Sequence, residues 1–147
     1  MSLEPRHLCN DLIRRSIELC ALYRHAAAQV SEPGLRTVLD EEAQSLTEVI
    51  AELQAQMRSN ANAPATRSGM IGAARQRLDA WLVRGIPRSD DAWIRLLAHH
   101  EQSLLRAFER VLTRVAPGDV TTALHRQLPR LRSIHLDMHS LAKAVGH

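Results

Sequence analysis

The sequence predicts an all-α protein, a four-helix bundle made of two antiparallel hairpins joined by a long crossover. Three observations predict it. Apolar residues recur three or four apart over long stretches, and nowhere do they alternate every second residue as a half-buried strand does. Two short breaker segments, Ser31 to Gly34 and Pro117 to Asp119, each divide a pair of such stretches, and connections that short make neighbouring helices antiparallel. Aromatic residues are 3% of the chain against 45% hydrophobic, so the core is aliphatic, which suits helix packed on helix.

The first helix is expected from about Pro5 to Val30. Proline suits a first turn, and Cys9, Leu12, Ser16, Leu19, Tyr23, Ala26 and Val30 form an unbroken three-and-four stripe. The second is expected from about Leu35 to Arg58, with Leu35, Leu39, Glu42, Leu46, Val49 and Leu53 on its stripe. Residues 59–89 form the crossover. They begin with a polar breaker run, Ser59 to Gly69, continue as a short amphipathic helix over about 70–83, and end at Gly85, Pro87 and a Ser89 cap. So long a connection is far beyond a tight helix–helix loop and is enough to cross the length of a bundle. The third helix is expected over about 90–115, striped by Ile94, Leu97, Glu101, Leu104, Phe108 and Leu112. The fourth, over about 120–145, carries Leu124, Leu128, Leu131, His135, Met138 and Val145, with Pro129 inside it as a kink.

Bulk properties narrow the function classes. A chain of 147 residues is expected to be one domain, 1–147, with a core of ordinary size. The net charge is +3, but the basic residues are scattered and almost all arginine, with no run that would track phosphates, so no nucleic acid is expected as a partner. No apolar run has the roughly 18 residues a membrane span needs, so no membrane is expected either. Cys9 and Cys20 are eleven apart on one helix, roughly 16 Å along its axis and too far to bridge. Free thiols without a signal peptide point to the cytoplasm.

Glu101 is the residue that needs a reason. It sits in the middle of a core stripe, and an unpaired buried carboxylate costs several kcal/mol. Counting from the turn of the second hairpin, Glu101 lies fourteen before Val115 and His135 fifteen after Val120, so the two are expected to meet and bond. The same count in the first hairpin gives Ser16 and Val49. A second level, nearer the turns, is expected to hold Tyr23 and Glu42 with Phe108 and Leu128, the Tyr23 hydroxyl bonding Glu42. Both pairs would satisfy groups otherwise stranded in an apolar core.

The hairpins echo one another, since Ser16 to Tyr23 repeats as Glu101 to Phe108, a polar residue and then an aromatic ring seven later. A duplicated bundle with a long crossover and inward polar residues at mid-helix resembles the ferritin-like superfamily. Asn10-Asp11-Leu12-Ile13, Tyr23-Arg24-His25-Ala26-Ala27, Ala51-Glu52-Leu53-Gln54-Ala55, and Gln127 with His135 eight on are similar to an uncharacterised bacterial family of ferritin-like bundles. The resemblance covers nearly the whole chain and implies a fold, not an activity.

For the wider superfamily it implies a di-iron centre, with a Glu from each of two helices and a Glu-x-x-His motif from each of the other two. Position by position, this chain keeps Glu101 and His135. It reads Ser16, Leu46, Val49 and Arg132 where other ligands would stand. A dinuclear site therefore lacks most of its donors. A shift of one heptad would bring Glu42 to Glu101 and His135, with His139 on a neighbouring face, and so few ligands suit one Zn²⁺, Fe or Mn ion. His99 and His100 point about 100° apart, so at most one nears the core. The alternative is a buried, structural Glu101–His135 pair.

Other chemistry is poorly served. The cysteines fall on core faces, where a thiol is filler. No strand–turn–helix elbow exposes a serine, and no glycine-rich loop cradles phosphate. Trp81, Leu82 and Ile86 on the crossover either close the end of the bundle or face a second copy or another protein. The expected function is that of a non-enzymatic bundle acting by association, and the alternative is a metal-binding redox or storage protein with an atypical site at Glu101, His135, Glu42 and His139.

Overall fold

The computed structural model describes residues 4–59, 76, 78, 80, 85 and 87–146. They form four long helices, α1 (Pro5–Gln29), α2 (Pro33–Ser59), α3 (Asp90–Arg114) and α4 (Asp119–Val145), with no strand among the described residues. The protein is all-α. Helix α1 opens on Pro5, which has no amide to satisfy, and the other three begin where the sequence provides an acceptor for an unpaired backbone amide. The Glu32 carboxylate takes the amides of Gly34 and Leu35 at 2.9 and 2.7 Å, the Ser89 hydroxyl takes that of Ala92 at 3.1 Å, and Thr121 turns back to the Gly118 amide at 2.8 Å. Helix α4 continues through Pro129.

Helix directions follow from the contacts between them. Asp90 at the start of α3 accepts the amides of Ser31 and Glu32, at 2.9 and 3.0 Å, so α3 begins at the α1–α2 turn. Arg15 in α1 then reaches Ser103 in α3, and α1 and α3 are antiparallel. Arg130 in α4 meets both Glu52 and Glu48 of α2, while Gln127, three residues earlier, bonds Glu52, so α2 and α4 are antiparallel too. Helices α2 and α3 therefore run the same way. The second turn, Val115 to Asp119, lies at the other end of the bundle, against Glu4, Pro5 and Arg6.

This arrangement corrects the expected levels. Counting every residue from its own turn assumes that both turns share one end, and they do not. Tyr23 and Glu42 are instead level with Glu101, and the charges of Glu42 and Glu101 both act on Tyr23. Ser16 is turned to its own helix, its hydroxyl donating to the Leu12 carbonyl at 2.7 Å.

One aliphatic core runs through all four helices, filled at its largest by Trp93, Tyr23 and Phe108. Most of the expected crossover helix, with Trp81, Leu82 and Ile86, lies outside the described residues. Of that stretch Leu78 packs, partly buried, against the core.

Candidate functional site at the centre of the bundle

Three helices turn a polar side chain into the middle of the bundle, Tyr23 from α1, Glu42 from α2 and Glu101 from α3, and half-buried His135 and exposed Asp137 reach them from the edges of α4. Helical spacing dictates this, because each core member lies three, four or seven residues from apolar neighbours of its own stripe. Tyr23 is fully buried, and Glu42 and Glu101 are each 4% exposed. His135 and Asp137 flank the buried Met138 on α4, so one edges toward α3 and the other toward α2.

Two pairs form. Nδ1 of His135 and Oε2 of Glu101 are 2.8 Å apart, the contact expected from the register of the second hairpin. Glu42 hydrogen-bonds Asp137, a contact the sequence reading did not foresee because Asp137 lies off the α4 stripe. Two carboxyl groups bond only if they share a proton. Burial first, then that bond, then the charges of Asp137, Glu41 and Glu101 push the Glu42 carboxyl up to about 8, so Glu42 donates to Asp137. Burial likewise raises Glu101, opposed by its bond to His135.

The expected bond between Tyr23 and Glu42 does not form. The Tyr23 hydroxyl has no hydrogen-bond partner, and neither has Oε1 of Glu101. Burial, then the charges of Glu101, Glu42 and Asp137, hold the Tyr23 phenol well above its usual range, so it stays neutral.

The other candidate positions lie apart from this centre. His139 is exposed on α4, its ring stacked on that of His135 with centroids 6.0 Å apart. Arg132, expected where a ligand carboxylate would stand in the core, is instead outside, 3.8 Å from Glu109. Leu46 and Val49 are fully buried and purely apolar. His99 and His100 meet edge to face, and burial lowers His100. Neither cysteine is bridged; burial pushes Cys9 up to about 11, and Cys20 donates to the Ala43 carbonyl at 3.3 Å.

A di-iron centre does not fit these residues. Among the described residues, no three of His, Cys, Asp or Glu converge closely enough to hold an ion. Each buried acid has its own partner, Glu101 in His135 and Glu42 in Asp137. Nor, among the described residues, is any helix long and apolar enough to cross a membrane.

No curated protein matches the chain. The model of one family, described as a domain of unknown function, DUF2383, matches residues 6–114, from the first turn of α1 to the last residue of α3. That span carries Tyr23, Glu42 and Glu101 but not His135. The chain belongs to the DUF2383 family.

Proposed function

We propose that the protein is a non-enzymatic bundle of the ferritin-like kind that acts by association with itself or with another protein. In this reading a crossover with a short helix carries the chain back along the bundle, as parallel α2 and α3 require, and the di-metal centre is largely lost. One observation carries the reading: the acids of the core are paired off, Glu101 with His135 and Glu42 with Asp137, rather than gathered around a point. The unbridged thiols of Cys9 and Cys20 suit the cytoplasm. Trp81, Leu82 and Ile86 are the proposed contact surface, on their sequence alone.

Sedimentation velocity of the full chain over a wide concentration range tests it. The expected result is a dimer that weakens on dilution and is lost in Trp81→Ser. A monomer at every concentration that also retains paired metal ions through chelation would overturn it.

A second reading, a metal-binding redox or storage protein with an atypical single-ion site (Zn, Fe or Mn), has one observation in its favour. The Glu101 carboxylate sits on one nitrogen of His135 while the His135 side chain remains 30% exposed.

A further inference from the structure

His135 and His139 are one helical turn apart on the outer side of α4. Their rings stack with centroids 6.0 Å apart and planes 25° from parallel. The two nitrogens of His135 face different surroundings. Nδ1 is held by Glu101, which is 4% exposed, whereas the His135 side chain is 30% exposed. The part of the ring that reaches solvent is therefore the part that carries Nε2. With Glu101 ionised, Nδ1 donates the hydrogen bond and Nε2 keeps its lone pair.

An imidazole backed in this way by a carboxylate is the arrangement that metal-ligating histidines use. The carboxylate fixes the tautomer, orients the ring and makes the outer nitrogen a better donor. His139 supplies the second nitrogen, being exposed and already beside the first ring. Zinc–imidazole bonds of about 2.0–2.1 Å put two rings that share one ion roughly 5 Å apart, centroid to centroid. The observed 6.0 Å is about 1 Å longer than that. Charge favours the same outcome. Oε1 of Glu101 has no hydrogen-bond partner, and a cation on Nε2 would bring positive charge to the buried carboxylate through the ring.

We propose that His135 and His139 form an outward-facing site for one divalent transition-metal ion of the imidazole-preferring class, Zn²⁺, Ni²⁺ or Cu²⁺, with Glu101 as its positioning residue. This rests on the metal-binding reading and moves the ligands from the core to the surface. Water fills the remaining positions on the ion, so the ion exchanges freely and is removed by chelators.

Calorimetric titration of the full chain with ZnCl₂ and NiCl₂ tests the site. One ion is expected per chain. His139→Ala, at an exposed position that folding does not need, lowers the affinity at least tenfold, and His125→Ala does not. Glu101→Gln weakens binding by roughly tenfold or more, the loss typical of an orienting partner, and Ni²⁺ broadens the His135 and His139 ring resonances first. No binding by the unaltered chain would overturn both this site and the metal-binding reading. Binding unchanged by His139→Ala but lost in Glu101→Gln would overturn this site alone and return the ion to the core.

Discussion

Glu42 shows how far the fold controls a single proton. Its carboxyl is raised from 4.5 to about 8, chiefly by burial. In the unfolded chain the group ionises near its ordinary value, so between about 4.5 and about 8 the folded state holds a proton that the unfolded state has released. The stability tied to this group is fully present below that window and falls as pH rises through it. Glu42→Gln keeps a neutral donor for Asp137 and removes the titration. Urea unfolding at pH 8 should find the variant more stable than the parent by on the order of a few kcal/mol, with the gap closing toward pH 4. An equal slope with pH in both proteins would mean that Glu42 ionises freely. Glu101 differs, since its partner is a base that reaches solvent. Glu101→Gln should destabilise by about 1–3 kcal/mol in the same assay, and a gain in stability would show a carboxylate kept at a structural cost. The Glu101–His135 contact was legible because both residues lie on core stripes of one hairpin. Asp137 was not, because it reaches Glu42 from beside its stripe.

At the scale of elements, the sequence-based bounds of the four long helices lie within two residues of the observed ones. Proline, serine and glycine mark the ends, and an uninterrupted apolar period fills each span. Helix α4 contains the one internal conflict. Pro129 has no amide to offer the His125 carbonyl, yet the helix continues, held by buried Leu124, Leu128, Leu131, Ile134 and Met138. Packing outweighs the break. Pro129→Ala should therefore raise the midpoint of thermal unfolding, by a stabilisation of about 1–3 kcal/mol; a loss would mean that the altered geometry at Pro129 is needed to dock α4. On the rim between α2 and α4, Arg130 lies 2.9 Å from Glu52 and 3.7 Å from Glu48. All three are substantially exposed, so Arg130→Ala should cost at most about 1 kcal/mol, less in high salt.

For the whole molecule, the length of the crossover disclosed that the chain returns along the bundle, but the level at which the two hairpins meet was not legible. Periodicity fixes which face of a helix is inward but not which end of one hairpin meets which end of the other. The contact that reveals it is polar and local: Asp90 gripping the amides of Ser31 and Glu32. Asp90→Ala frees both amides and should cost about 1–3 kcal/mol in urea unfolding; no change would mean that core packing alone sets the docking. With the turns at opposite ends, Tyr23, Glu42, Glu101 and His135 come to one level, which brings four titratable groups together without making them ligands of one point. The measurement that tests this most directly is the iron retained by the full chain after aerobic incubation with Fe²⁺ and removal of exchangeable ions by a chelator. Paired core acids predict no retained iron and no absorbance from bridged iron. A pair of irons held per chain, and lost in both Glu42→Gln and Glu101→Gln, would contradict the account.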